Sequence, residues 1–403
     1  MADARDRHLT GLAERDRRLA YELSAGVLRR QRELDTALEL DRADPRLHDV
    51  LRLGAYQLRW LTRVPSHAAV STSVELARET VGEGVTGYVN HALRKLSAIG
   101  YRVSGDGQSH PDWLVARWQS RFGQDETARL IDWNDTKPDL ILQPARWDEA
   151  TLLQRLGDVG IGAERAPFAT GIRLRPIADS RYPIAKDLPG FTEGAFIVQD
   201  PAHALVVRFA AIPRGALVYD ACAAPGGKAV ALEVAGARLL AGDARHERIG
   251  RLADTTRRAG VAIQCVAANL EAAPLRAGSI AAVLVDAPCS ATGTMRRHPD
   301  ARWRLNPTVF ARAAGRQARL LAAAATLVRP GGLLIYATCS LEPEENEHVV
   351  ESFLKQNPEF TRSPRPDAVA ADLLTAAGDF RSLPQRHGID GAYAARLARG
   401  GAR

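Results

Sequence analysis

Cysteine is scarce in this chain of 403 residues, and long apolar runs are missing. The four cysteines, at 222, 265, 289 and 339, show no Cys-x-x-Cys spacing and are too few to staple a chain of this length. A disulfide framework is therefore excluded. No run of about twenty apolar residues occurs, so no membrane span is expected. Met1 is not followed by the basic, apolar, small-residue order of a secretion leader, and the expected location is cytoplasmic. His48, His67 and His91 lack ligand spacing and nearby carboxylate clusters, so no metal site is expected. Lysine is also sparse, and arginine carries most of the net charge of +7. The positive excess falls in residues 151–403, while residues 1–150 are close to neutral. Such a surface suits a nucleic acid, although an arginine-rich, alanine-rich composition also follows from a GC-rich genome.

What is present divides by pattern, and the length predicts two or three domains. From Arg5 to about Leu96 apolar residues recur at three- and four-residue spacings: Leu19, Leu23, Val27 and Leu34, then Val50, Leu53, Leu58 and Leu61, then Val70, Val74 and Leu76. This predicts an all-α domain over 1–100 with about five helices, one of them starting at Asp44-Pro45, with the acid as cap and proline in the first turn. Residues 101–112 read as a polar, turn-rich linker. Residues 113–200 predict a small α+β subdomain: helices near 114–122, 126–134 and 148–156, and strands at 139–143 and 171–175. From 201 to 403 strands and helices alternate, as in a doubly wound α/β sheet.

Two buried-strand patterns organise this last region. Ala282-Val-Leu-Val-Asp286 runs into Ala-Pro288-Cys289-Ser290, and Gly332-Leu-Leu-Ile-Tyr336 runs into Ala-Thr338-Cys339-Ser340. Both are apolar without alternation, as parallel strands covered on both faces are. Chemistry in such sheets collects beyond the carboxyl ends of the strands, so the two would deliver one cysteine each to a common crevice.

Three earlier strands predict a nucleoside-type ligand in that crevice. Ala216–Asp220 leads into a loop with Gly226, Gly227 and Lys228, where paired glycines admit a ligand close to backbone and the next helix offers free amides. The loop lacks both the phosphate-loop spacing and the three-glycine dinucleotide fingerprint. Leu239–Asp243 ends in an acid suited to a ribose diol. The strand from Ile263 ends at Asn269, whose amide can both donate to and accept from an adenine edge.

In this order, DACAAPGGK (220–228), Asp243, DAPCSATG (286–293) and ATCS (337–340) resemble the RsmB/Fmu (Sun) family of RNA cytosine-C5 methyltransferases. The N-terminal region resembles the NusB-like RNA-binding domain over Leu47–Gln57, Val64–Val70 and Tyr88–Arg94, which narrows the resemblance to the type acting on small-subunit (16S) ribosomal RNA. It spans essentially the whole chain and implies an all-α NusB-like domain, a small α+β subdomain and a Rossmann-like methyltransferase sheet. The implied cofactor is S-adenosylmethionine, held by Cys222, Ala223, Ala224, Pro225, Gly226, Gly227, Lys228, Asp243, Asn269 and Asp286. Asn269 stands where the family usually has an acid. RNA is the implied partner of an enzyme expected to be monomeric.

Methylating carbon 5 of cytosine requires that poor nucleophile to be activated, which a thiolate adding at carbon 6 achieves. A second group is then needed to help release the adduct. The family pattern implies Cys339 as nucleophile and Cys289 as the group assisting release. Asp286 would bind the cytosine edge, and Lys228 would orient it. Pro288-Cys289 has the form of the nucleophile in DNA cytosine methyltransferases, so the reverse assignment stays open. Between the two cysteine strands, Arg296, Arg297, Arg302 and Trp303 predict an RNA-binding loop, with arginines for phosphates and tryptophan for a base. The acidic run 342–347 predicts a helix start. The tail resembles the family's closing hairpin, with Ala392 and Tyr393 where two phenylalanines are common. A non-catalytic RNA-binding or assembly factor, or a methyltransferase of protein or small molecules, would leave both cysteines without a purpose.

Overall fold

The computed structural model describes residues 9, 11–99, 109–177, 182–364 and 367–401. Residues 101–108 of the expected linker lie outside the described residues. The chain forms two compact units, one of Met1–Thr136 with Met295–Arg304, the other of Lys137–Thr294 with Leu305–Arg403.

The first unit is helical: α1 (Glu14–Ala37), α2 (His48–Trp60), α3 (Ser66–Thr80), α4 (Thr86–Ile99), α5 (Asp112–Phe122) and α6 (Gln124–Asp135). The apolar spacing puts Val27, Leu34, Leu51, Val70, Val89 and Leu93 in one core. Asp44 caps the turn Pro45–Leu47 that leads into α2, its Oδ1 accepting from Arg46 N at 2.9 Å. A Cβ on Gly26 would lie 2.0 Å from Tyr56 Cζ, so α1 needs glycine where the α2 tyrosine presses on it. The two helices at the front of the expected α+β subdomain pack within this unit. His110, at the end of the supposed polar linker, is wholly buried, between Ser109 Oγ at 2.9 Å and Asn134 Nδ2 at 3.2 Å. Burial first, and then the Arg302 charge, push its imidazole well below its ordinary pKa.

The segment Met295–Arg304 corrects another expectation. Arg302 is 0% exposed. Its guanidinium donates to Asp135 Oδ1 at 2.8 Å, Ser109 O at 3.1 Å and Asn134 O at 3.0 Å. Arg296 is buried with its guanidinium 4.1 Å from the Trp133 ring centre, and Trp303 Nε1 donates to Leu28 O at 2.6 Å. Arg296 and Arg302 are therefore interior groups and not an RNA-facing surface, while Trp303 is half-buried. Carbonyls and a carboxylate converging from several segments are what a planar, five-donor guanidinium satisfies. Arg297 is half-buried.

The second unit holds two sheets. The smaller consists of β1 (Ile141–Pro144), β2 (Ala163–Arg165), β3 (Ile172–Leu174) and β4 (Phe196–Val198), all antiparallel in the order β2-β3-β1-β4. With them comes α7 (Glu149–Asp158), capped by Asp148, whose Oδ1 accepts from Thr151 N at 2.7 Å. Then follow α8 (Pro201–Ala210), β5 (Leu217–Asp220), α9 (Gly227–Val234), β6 (Arg238–Asp243), α10 (His246–Ala259), β7 (Gln264–Ala267), β8 (Ile280–Asp286), α11 (Thr308–Leu327), β9 (Val328–Thr338) and α12 (Glu347–Gln356). The larger sheet is completed by β10 (Phe360–Arg362), β11 (Phe380–Ser382) and β12 (Ala392–Arg399).

Its order is β10-β12-β9-β8-β5-β6-β7, with β11 beside β12. Strands β5 to β9 are parallel, while β10, β11 and β12 make only antiparallel pairs. The sheet is therefore mixed. Alternate residues face opposite layers: Val283, Val285, Leu334 and Tyr336 meet Leu320, Leu321 and Ala324 of α11, while Val218, Leu284 and Ile335 meet Leu205, Val206 and Phe209 of α8. Tyr393 packs edge-on to Tyr336 and its hydroxyl donates to Asp379 Oδ2 at 2.7 Å, so it replaces phenylalanine with its polar end satisfied. After β7 the chain returns to the far side of β5, making β5 and β8 the topological switch point.

Among the described residues no helix is long and apolar enough to cross a membrane, and no group of three or more His, Cys, Asp or Glu could hold a metal ion.

Replacing Arg302 with alanine strands buried carbonyls and the Asp135 carboxylate without their donor. Urea unfolding of the helical unit should show Arg302→Ala destabilised by about 3 kcal/mol, the cost of breaking a buried ion pair from one side. A loss no larger than that of a surface arginine would mean that the segment does not dock in this way.

Candidate active site

Strands β8 and β9 pair in parallel with Asp286 opposite Ala337, so their exits lie side by side. Pro288-Cys289 leaves one and Cys339 the other, and their sulfurs meet at 3.1 Å as free thiols. The Cys289 thiol is pushed well above its ordinary pKa, first by its contact with Cys339, then by burial. Either thiol can be the donor in their contact.

Across the switch point, Lys228 in the first turn of α9 reaches Asp286 at the end of β8. Its Nζ donates to Asp286 Oδ2 at 2.6 Å and to His203 Nδ1 at 2.9 Å. Lys228 is 8% exposed but Asp286 is 32% exposed, so the carboxylate faces the crevice while the ammonium backs it. His203 was not expected from the sequence. Only its place in the first turn after the Asp200 cap of α8, whose side chain accepts from Ala202 N at 2.9 Å, hinted at a fixed orientation.

The loop after β5 is pinned by Ala223 N donating to Gly242 O at 2.9 Å and Gly226 N to Ala223 O at 2.7 Å. Gly226 has φ 109°, a left-handed conformation natural to glycine, and a Cβ there would lie 3.0 Å from Leu252 Cδ1. This turn starts α9 with its amide end towards the switch point. Cys222 sits inside the loop, where burial pushes its thiol up to about 12, so it is no nucleophile. Asp243, at the end of β6, is buried and accepts from Arg245 N at 2.9 Å. Asn269 is exposed, and its Oδ1 caps the turn Leu270–Ala272 by accepting from Glu271 N at 3.2 Å.

Asp220, the last residue of β5, was passed over as mere strand. It is wholly buried, and neither of its oxygens has a partner among the described residues. Burial, then the neighbouring Asp286 carboxylate, push its carboxyl up to about 7. An orphaned polar group at a strand end beside a glycine turn is what a ligand with donors of its own would satisfy. The residues therefore fit S-adenosylmethionine: Asp220 beside the glycine turn, Asp243 for a diol, Asn269 at the end of β7 and Asp286 at the end of β8.

The acidic run at 342–347 meets a helix start as expected, since α12 begins at Glu347, but one of its carboxylates has another use. The side chain of Glu345 caps no helix, because it accepts from the residues that follow the two cysteines, Ser290 N at 2.9 Å and Ser340 Oγ at 2.7 Å.

Known proteins resemble the chain along its length. The profile of the family described as 16S rRNA methyltransferase RsmB/F matches residues 211–398, that of the NusB family 2–98, and that of the RsmF/B-like ferredoxin-like domain 110–179. A probable ribosomal RNA small subunit methyltransferase B from Synechocystis is 33% identical, covering 96% of this chain and 92% of that one. The ribosomal RNA small subunit methyltransferase B of Pasteurella multocida is 34% identical over 87% of this chain and 80% of that one. The crystal structure of PH0851 superposes with a TM-score of 0.80 at 25% identity, covering 98% of this chain and 93% of that one.

Asp220 generates a pH-dependent prediction. An acid whose folded pKa, about 7, lies above its ordinary 3.8 binds more protons folded than unfolded between those values, so its contribution to stability falls as pH rises through that window. Asp220→Asn removes this loss. In the absence of ligand the melting temperature of the variant should rise relative to wild type between about pH 4 and pH 8. Parallel curves would mean that Asp220 does not titrate in this window.

Proposed function

The chain belongs to the 16S rRNA methyltransferase RsmB/F family, and from that premise we propose that it methylates carbon 5 of a cytosine in small-subunit ribosomal RNA through a covalent cysteine adduct. The observation that carries the reading is the pair of free thiols 3.1 Å apart, next to a lysine-backed aspartate at the switch point of the sheet. No methyltransferase acting on a ready nucleophile needs such a pair.

S-adenosylmethionine, when bound, supplies the electrophilic methyl group. The protein's own residues prepare the base. Cys339, as thiolate, adds to carbon 6 and turns the ring into an enamine with a nucleophilic carbon 5. Asp286, held by Lys228, hydrogen-bonds the cytosine edge and favours protonation at N3 as negative charge develops on the ring. Once carbon 5 carries the new methyl group, its proton passes to solvent water, the electrons of that C–H bond restore the C5–C6 double bond and the Cys339 sulfur departs. Cys289 assists by protonating that sulfur, a role suited to a thiol with a raised pKa at 3.1 Å. Asp220, Asp243, Asn269 and residues 222–228 form the cofactor cradle. Arg297 stays as the candidate phosphate contact of the basic segment, and the NusB-like domain is the larger RNA-binding element. The enzyme is read as a cytoplasmic monomer without a metal.

Labelled S-adenosylmethionine and unmodified small-subunit ribosomal RNA should yield label in 5-methylcytidine, lost in Cys339→Ala. On denaturing gels Cys289→Ala should accumulate an RNA-linked protein band that Cys339→Ala lacks. The opposite pattern would make Cys289 the nucleophile.

A further inference from the structure

One buried group beneath the thiols has no part in this chemistry as described. Glu345 ends the short turn Pro343–Glu345 and is 0% exposed. Its Oε2 accepts from Ser290 N and from Gln317 Nε2, both at 2.9 Å. Its Oε1 accepts from Ser340 Oγ at 2.7 Å and from Ser290 Oγ. Ser290 follows Cys289 and Ser340 follows Cys339, so a single carboxyl group grips the residue after each cysteine. Gln317, buried on α11, braces the same loop by also donating to Pro288 O at 3.0 Å.

Further bonds tighten the assembly. Gly293 N donates to Cys339 O at 2.9 Å, and Leu341 N to Thr292 Oγ1 at 2.8 Å, each joining the DAPCSATG loop to the ATCS loop. Tyr336 Oη donates to Glu345 O at 2.5 Å, anchoring the glutamate's own backbone to β9. Capping does not explain this side chain, since all four of its donors come from outside its own turn.

We infer that Glu345 is a positioning residue for the cytosine reaction: it locks the two cysteine loops together and so sets the distance and facing of the thiols. The inference rests on the two-cysteine reading above. The physical reason is rigidity, because the loops leave the sheet at β8 and β9 and beyond that point their spacing is held by scattered bonds of this kind and not by a continuous ladder. A covalent adduct that forms at one sulfur and is released with help from the other needs both within reach of one ring, and misplacement by about 1 Å costs up to roughly 100-fold in rate. Glu345 also works through charge. A buried carboxylate near Cys289 disfavours a second negative charge there, one of the causes of its raised pKa.

The test compares wild type, Glu345→Gln and Ser340→Ala in steady-state methylation, adduct trapping and pH profiles. Glu345→Gln presents an amide N–H to groups that are themselves donors. Its kcat should fall roughly tenfold to a hundredfold, with KM for RNA and cofactor within about twofold, as expected of lost positioning without lost binding. RNA-linked protein should accumulate during turnover, and the alkaline limb of kcat should move to lower pH as the Cys289 thiol loses its carboxylate neighbour. Ser340→Ala, which deletes one donor but keeps the carboxylate, should show the fall in kcat and the adduct accumulation in smaller degree without the shift of the alkaline limb, and it decides the matter should Glu345→Gln fail to fold. Loss of kcat only in proportion to the folded fraction, with unchanged adduct level and pH profile, overturns the inference. Absence of 5-methylcytidine and of adduct with wild type overturns the parent reading instead.

Discussion

The pairing of β8 with β9 is the constraint on which the catalytic unit depends. Because the strands are parallel and in register from Ala282 opposite Leu333 to Asp286 opposite Ala337, both end at the same level of the sheet. Two cysteines fifty residues apart in sequence become neighbours at 3.1 Å. The pairing in turn rests on side chains buried on both faces, α11 covering one and α8 the other. Parallel strands of this kind survive only where both faces are covered.

Charge in the crevice follows from the same topology. The switch point brings together the ends of β5 and β8, hence Asp220 and Asp286, with Asp243 one strand further out. Asp243 has Arg248 at 3.7 Å, whereas Asp220 and Asp286 share one nearby lysine, which lies between Asp286 and His203. Asp220, left without a partner and fully buried, takes the consequence as a raised pKa. Below the thiols Glu345 is arranged in the opposite way, with four hydrogen-bond donors converging on one carboxyl group. The first arrangement leaves capacity open for a ligand, and the second is closed and structural.

The segment Met295–Arg304 belongs by sequence to the catalytic region, lying between β8 and α11, and by packing to the helical unit. Its arginines carry the compositional signal of a nucleic-acid surface. Arg302 instead satisfies carbonyl oxygens and Asp135 in the interior, and Arg296 lies over Trp133. A cluster of arginines with an aromatic describes a binding loop and an internal staple equally well, because both uses rely on the same fork of donors and the same stacking face.

Local pattern was enough to define the five parallel strands of the larger sheet, the Asp44 cap, the glycine turn and both cysteine loops, since each depends on residues close in sequence. Apolar runs that end in an acid or Pro-Cys carry their own boundary, and the four-motif order carried the family. Tertiary structure alone decided which polar groups lost their water. It made Asp220 an orphaned acid, turned Glu345 from a supposed helix cap into the clamp under two loops, gave Lys228 His203 as a second partner, and drew Arg302 and His110 inside. None of these is visible in composition or spacing, because burial and hydrogen-bond partnership are set by residues tens to hundreds of positions away, and a charged side chain reads the same in sequence whether it faces water or a carbonyl.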